Sequence, residues 1–384
     1  MNRSLLWLGA SMFLWGLGES MFLLFQPIYL QQLGADPIQI GVILGSFGAV
    51  MTLTHIPAGH LSDLIGRRPM LIAAWVIGIA ATLLMALATT LSGFVVGILI
   101  YAFTAFVASP LDSYVTAARG PWSVGRAITF ISMTYNAGAV LGPVSGGWIG
   151  DHFGLRLVYF FSAGSFVLST GVLFFIASQP RDRHDPQAPP PRLLTNGRYL
   201  GFLSILFVVA FATYLPQPLT PNFLRNQHQL SLEVIGELFS IGSLGNTALN
   251  LLFGQLEART GFVLGQMSVS LFAVLLWRGS GFGWFALAYF LLGGFRALRS
   301  LGVAQVRPLV HESQMGLAYG VTEMVGSSTV LLAPPLAGYL YQLDPRMMYP
   351  MSLVLMGVGI VLSLILVPQS QRFPPDHIER APDL

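Results

Sequence analysis

The sequence predicts an all-α membrane protein of twelve transmembrane helices in two pseudo-symmetric six-helix bundles. Three observations carry this: too few charges for a wet surface, apolar runs of span length along the whole chain, and a second half that repeats the first. Apolar types make up 54% of the 384 residues and charged types 9%, against roughly 25% charged in a soluble domain. Most of the surface must therefore face lipid. The net charge of +3 is too small to indicate a nucleic-acid partner. All 19 basic residues are Arg, which excludes Schiff-base lysine chemistry, and the absence of Cys excludes disulfides and thiolate ligands. No cofactor is implied.

Stretches of about 20 apolar residues, enough to cross ~30 Å of hydrocarbon, fall at 5–26, 38–58, 69–90, 94–117, 127–149, 156–177, 199–220, 233–255, 262–277, 283–305, 316–340 and 347–367. Arg3 leads straight into an apolar run ending at Phe25 without a small-residue cleavage site, so the first span is read as retained. One connection is long and polar, residues 179–198 with the run Pro189–Pro191, and it reads as a semi-rigid linker. The expected units are residues 1–178, the linker 179–198, and residues 199–384 with a short tail. With the N-terminus inside, thirteen Arg fall on the cytoplasmic side and four outside, which predicts both termini in the cytoplasm. A bacterial inner (plasma) membrane is the expected location.

The repeat is visible in the glycines. A shift of 195 residues carries Gly41, Gly59 and Gly66 onto Gly236, Gly254 and Gly261, and Asp36 onto Ser231, both good helix N-caps. Asp36-Pro37-Ile38-Gln39 has capping-box spacing. A shift of 191 carries Gly125, Ala127, Pro143 and Gly147 onto Gly316, Ala318, Pro334 and Gly338. Two related six-helix halves around a midplane site are the architecture of alternating-access transporters.

Between spans two and three stand Gly59, Asp63, Gly66, Arg67 and Arg68 in the order G-x-x-x-D-x-x-G-R-R. This resembles the signature loop of the major facilitator superfamily, except that Leu64 replaces the family's Arg. The repeat copy keeps that Arg as Arg259 but has Ala258 in place of the Asp. The resemblance covers essentially the whole chain. It implies a latch: Asp63 would sit by the N-terminus of span eleven when the halves close there, a contact of roughly 0.3–1 kcal/mol. In span five, Gly138, Gly142, Pro143, Gly146 and Gly147 fit G-x-x-x-G-P-x-x-G-G, which resembles the motif of the family's proton-coupled exporters. Gly138, Gly142 and Gly146 share one helical face and allow close helix contact. Pro143 removes a helix hydrogen bond and permits a bend. Arg119 and Gly125-Arg126-Ala127 resemble a further family loop, or serve as a headgroup anchor.

Ionisable residues inside spans are the functional leads, since each costs ~2.5–3.5 kcal/mol or more in lipid. Glu19 lies ~21 Å into span one, with Trp15, Phe22 and Gln26 on a shared face and Tyr214 as its repeat counterpart. The family's spans one, four, seven and ten line the central cavity, so these residues should look into it. A carboxyl desolvated among aromatics is costly to ionise and can exchange a proton. Arg296 lies ~20 Å down span ten, Arg299 ~5 Å deeper and Glu323 ~11 Å up span eleven, depths that suit an ion pair or triad. The same arithmetic separates Arg296 from Glu19 by an offset on the order of 10 Å. Asp112 in span four is a gate or counter-ion candidate, and His55 a helix-packing histidine or proton relay.

No P-loop, metal-spaced cluster or paired catalytic constellation is present, so neither an enzyme nor an ATP-driven pump is indicated. Three readings stand: a proton-coupled exporter of hydrophobic or amphipathic small molecules, a facilitator or symporter of a polar metabolite such as a sugar or organic anion, or a lipid or glycolipid flippase. The implied partners are a small-molecule substrate, protons or another coupling ion, and the bilayer, with the chain acting as a monomer.

Overall fold

The computed structural model describes residues 3–179, 196–306, 309, 310 and 315–366. The side chains of 55–64, 109, 125, 258, 303, 304, 315–317, 319, 320, 323 and 366 lie outside the description. The described residues form helices and no strand. In the first half α1 (Arg3–Leu23), α3 (Pro37–Ile65), α4 (Arg67–Leu87), α5 and α6 (Leu91–Phe103, Ala108–Ala118, joined by a 3-10 turn), α7 (Val124–Phe153) and α8 (Leu155–Leu173) make six crossings. The second half repeats them: α9 (Gly197–Tyr214), α11 (Leu232–Gly254), α12 (Ala258–Arg278), α13 and α14 (Phe282–Leu292, Gly294–Ala304), α15 (Met315–Leu343) and α16 (Met348–Leu366). Short α2 (Gln26–Gln32) and α10 (Thr220–His228) follow the first and seventh crossings at one end of the molecule.

Local chemistry sets the boundaries. Asp36 Oδ1 accepts from the Gln39 N–H at 2.8 Å while Gln39 Oε1 accepts from the Asp36 N–H at 3.1 Å, so the capping box forms. Ser231 caps α11 by accepting from the Val234 N–H at 3.2 Å. Nine segments are long and apolar enough to cross a membrane among the described residues. The other three crossings are α11, which carries Glu233 and Glu237, the broken pair α13–α14, and α15.

The core of the first half is aromatic. Trp15 stacks on Phe166 at 4.1 Å and tilts on Trp75 at 4.6 Å, and Phe22 meets Tyr101 and Tyr159 at 5.2 Å. The Trp75 Nε1–H donates to Ser169 Oγ at 2.8 Å, so the indole is satisfied although buried. Gly138, Gly142 and Gly146 lay α7 on α1: a Cβ at each would run into backbone carbonyls of Phe13, Leu17 and Met21.

The halves meet at two similar seams. In one, α3 lies on α15, with Gly41 against the Pro334 carbonyl and Gly338 against the Pro37 carbonyl. In the other, α7 lies on α11, with Gly236 against the Pro143 carbonyl and Gly147 against the Leu232 carbonyl. Both seams lie toward the end that carries α2 and α10, here called the sealed end; the opposite end carries Arg67 and Arg68. A Val at Gly236 must push α11 off Pro143. Gly236→Val should lower stability by about 1–3 kcal/mol, the usual cost of overpacking. Gly201→Val, where an added Cβ meets nothing within 4 Å, should stay within about 0.5 kcal/mol. Thermal unfolding of both variants in detergent checks the contrast.

Candidate substrate cavity and coupling site

A cavity of about 430 Å³ lies between the halves beneath the sealed end. The first half contributes Glu19, Gln26, Phe47, Tyr135, Ala139 and Pro143, and the second Tyr214, Gln217, Phe239, Phe272, Tyr289, Phe295 and Arg296. A side chamber of about 190 Å³ shares Tyr214, Phe295 and Val330, and adds Leu206, Val209, Phe262, Leu298 and Arg299. A third space of about 240 Å³ is lined by Asp112, Tyr135, Asn136 and Arg296. The central cavity combines aromatic side chains with the polar Ser20, Gln26, Gln217, Thr220 and Ser243, beside Glu19 and Arg296.

Glu19 is held by two phenols. The Tyr101 hydroxyl donates to Oε1 at 2.8 Å and the Tyr135 hydroxyl donates to Oε2 at 2.7 Å. Each carboxylate oxygen thus has a donor from a different helix, α5 and α7. The two bonds tie α1 to α5 and α7 at the carboxyl. Protonation turns one oxygen into a donor, so one phenol must then reorient.

Trp15 and Phe22 do not line the cavity as the shared-face reading expected. They are buried behind Glu19, where the aromatic core of the first half needs them. A helix presents only one narrow stripe to the cavity, and positions four before and three after Glu19 turn toward α8 and α5 instead. Gln26, Tyr214, Arg296 and Asp112 line the spaces just described, and Arg299 the side chamber. The side chains of His55 and Glu323 lie outside the described residues, so the Arg–Glu323 pair does too. Arg296 donates from Nη1 to Asn136 Oδ1 on α7 at 3.2 Å, across the two halves. Glu19 and Arg296 both line the central cavity. The crossing that carries Arg296 is interrupted at Gly293 between α13 and α14.

The sealed end is closed by polar contacts between the halves. Asn222 Nδ2 donates to the Pro27 carbonyl at 3.1 Å and to Gln31 Oε1 at 2.7 Å, and Asn226 Nδ2 donates to Gln31 Oε1 at 3.0 Å. Ser240 Oγ donates to the Val140 carbonyl at 2.7 Å. Asp151, at the end of α7, accepts from the Leu232 N–H at 3.0 Å and the Glu233 N–H at 2.8 Å. It therefore caps the N-terminus of α11 from the other half, where the helix dipole favours an anion. Nearby, burial and Arg346 push the pKa of His228 below its ordinary value, which suits its packing on Phe223 and Phe285.

Asp151 is a residue that the reading by halves passes over. The signal is a three-helix recurrence. A shift of 88 carries Gly59, Asp63, Gly66 and Arg68 onto Gly147, Asp151, Gly154 and Arg156. The two loops share their turn: Gly66 has φ 99° and ψ 154°, and Gly154 has φ 87° and ψ 151°, a conformation that favours glycine. Their arginines are reciprocal. Arg68, at the start of α4, donates from Nη2 to the Phe174 carbonyl just past α8 at 2.9 Å. Arg156, in the first turn of α8, donates from Nε to the Ala86 carbonyl at the end of α4 at 2.8 Å. Each cation thus satisfies carbonyls at the C-terminal end of the other helix. Arg67 Nη1 donates to Gln179 Oε1 at 3.1 Å. The side chains of Gly59's segment, Asp63 included, lie outside the described residues.

Asp151→Asn removes the charge but keeps one acceptor. It should weaken the sealed end by about 0.3–1 kcal/mol, or up to ~2 where the site is partly buried, and shift the population toward opening there. Spin-label distances between α7 and α11 at the sealed end should lengthen in the variant.

Residues 8–206 and 202–382 each match the sequence profile of the Major Facilitator Superfamily, and the chain belongs to that family of membrane transporters. It is a transporter and not an enzyme. The chain is 23% identical over 368 residues to Multidrug resistance protein 2 of Bacillus subtilis (strain 168), covering 91% of each protein. It is 30% identical over 278 residues to the Multi-drug resistance efflux pump PmrA of Streptococcus pneumoniae serotype 4, covering 68% of this chain and 63% of that one. A match at 31% identity to the Uncharacterized MFS-type transporter MJ1560 of Methanocaldococcus jannaschii spans 38% of either chain. Among solved structures, the nucleoside transporter NupG superposes with a TM-score of 0.77 at 16% identity, over 95% of this chain and 98% of that one. A bacterial homolog of the human lysosomal transporter Spinster superposes with a TM-score of 0.71 at 15% identity, over 94% of each. These likenesses show the fold.

Proposed function

We propose that the protein exports hydrophobic or amphipathic small molecules, cations above all, in exchange for protons by alternating access. The observation that carries this reading is Glu19: one carboxyl, held by two phenols, on the wall of a cavity rich in aromatic side chains between the halves. A low-dielectric cavity strengthens the attraction of a carboxylate for a cation. A proton and a cationic cargo then compete for one group. The names of the B. subtilis and S. pneumoniae relatives support export. An organic-anion symporter is the second reading, favoured by Arg296 on the same wall.

The bundles span residues 1–178 and 199–384 in this reading, joined by 179–198 in the cytoplasm. The sealed end is extracellular, so the structure is the inward-facing form. The protein lacks Cys, which makes the orientation easy to test. Gln32→Cys, at the sealed end, should label with an impermeant maleimide in intact cells. Pro121→Cys, at the opposite end, should label only after lysis. The reverse pattern overturns the orientation.

The coupling test is transport of ethidium into inverted vesicles under a proton gradient. Glu19→Gln should abolish uphill accumulation, retain some ethidium binding and remove the pH dependence of that binding. Uphill transport with an unchanged pH profile would make Glu19 structural and send the search to Asp112, Glu323 or His55.

A further inference from the structure

We propose that Asn136 is a positioning residue that holds Arg296 as the cross-half counter-charge of Glu19, and that this arrangement stops the empty carrier from leaking protons. The inference rests on the coupling reading above. Two adjacent residues of α7 carry it. Tyr135 donates to Glu19 Oε2 at 2.7 Å, and Asn136 accepts from Arg296 Nη1 at 3.2 Å. Glu19 and Asn136 belong to the first half and Arg296 to the second. Arg296 borders both the central cavity with Glu19 and the smaller space with Tyr135, Asn136 and Asp112. The groups around the carboxyl are thus Tyr101 on α5, Tyr135 on α7, Arg296 on α14 and Tyr214 on α9, with Asp112 on α6 beyond Arg296.

The charge logic follows from this placement. An ionised, unloaded Glu19, itself half-buried, attracts the guanidinium across the halves. The Asn136 bond, one residue on from the Tyr135 that holds Glu19, ties the exposed guanidinium to the first half. Separating the halves would then part opposite charges, so the empty ionised carrier stays in the sealed form. Adding a proton gives a neutral carboxylic acid, and binding a cation gives a paired one. Either removes the net attraction and releases the halves. The carrier can therefore change conformation with a proton or with a cargo, but not empty. An exchanger needs this condition, because a carrier that also turns over empty and ionised is a proton uniporter.

The experiment is proton flux into cargo-free proteoliposomes, read with an internal pH dye, alongside ethidium–proton exchange. Wild-type protein should show exchange and little flux without ethidium. Asn136→Ala and Arg296→Gln should each raise the cargo-free proton flux roughly tenfold or more, the scale of losing one hydrogen bond to a charged group. Adding Glu19→Gln to either variant should abolish the flux, because the leak needs the carboxyl. The predicted rise cannot come from a simple loss of folded protein, which lowers flux, and retained ethidium binding shows that the double variants are folded. No rise in either variant overturns the proposal, and so does a leak that survives Glu19→Gln. Wild-type protein that shows no ethidium–proton exchange overturns the coupling reading itself, and the proposal with it.

Discussion

Backbone lies directly on backbone where the two halves meet, and the rest of the architecture depends on that contact. Lipid tails are as apolar as leucine, so helices in a bilayer gain little by burying leucines against one another. They gain from close packing, which small residues permit. Gly41 and Gly338 bring α3 and α15 together, and Gly236 and Gly147 bring α7 and α11 together. Each seam is a line of dispersion contacts with few charges to desolvate, so it can separate at modest cost. Because both seams lie toward one end, the space between the remaining helices is left as a cavity. Gly138, Gly142 and Gly146 place α1 against α7 in the same way, and so fix Glu19 beside Tyr135.

Charge is used at helix ends rather than in the seams. Arg68 and Arg156 sit on opposite faces of the first bundle and satisfy each other's helix, while Asp151 satisfies an α11 N-terminus across the halves. A helix end in a membrane protein leaves backbone groups that water reaches only near the headgroups. One loop pattern recurs after three helices, and its second copy supplies both an anion for one helix end and a cation for another.

Much of this was legible in the sequence, and the limits have physical causes. Span number and the six-plus-six division follow from hydropathy, and the glycine matches between halves point to the very seams that close. Glu19, Tyr214 and Arg296 stand out because ionisable or paired polar groups are expensive in lipid. The roles of Trp15 and Phe22 were misread because a shared helical face is wider than the stripe that borders a cavity. The break at Gly293 in the crossing that carries Arg296 has no signature in a constant-rise count along the span. Asp151 was missed because the chain was compared half against half, while its motif recurs after three helices. Tyr101, Tyr135 and Asn136 have no sequence signal of their own, since a phenol or amide in a span is as often a packing group.

The spacing of the site's two charges explains why it can work reversibly. A direct buried pair of Glu19 and Arg296 would be difficult to part, because a lone buried charge costs ~3–5 kcal/mol. The structure instead satisfies each charge separately. Glu19 keeps its two phenols within the first half when the halves move, while Arg296, exposed to the cavity, exchanges the Asn136 amide for water. What remains between them is a Coulomb attraction through the Tyr135–Asn136 step, weaker than contact and switched off by one proton. An attraction of that kind biases a conformational equilibrium without freezing it. In the proposed exchange the aromatic side chains of the wall add cargo affinity that is indifferent to charge, so recognition can be broad while coupling is assigned to a single carboxyl.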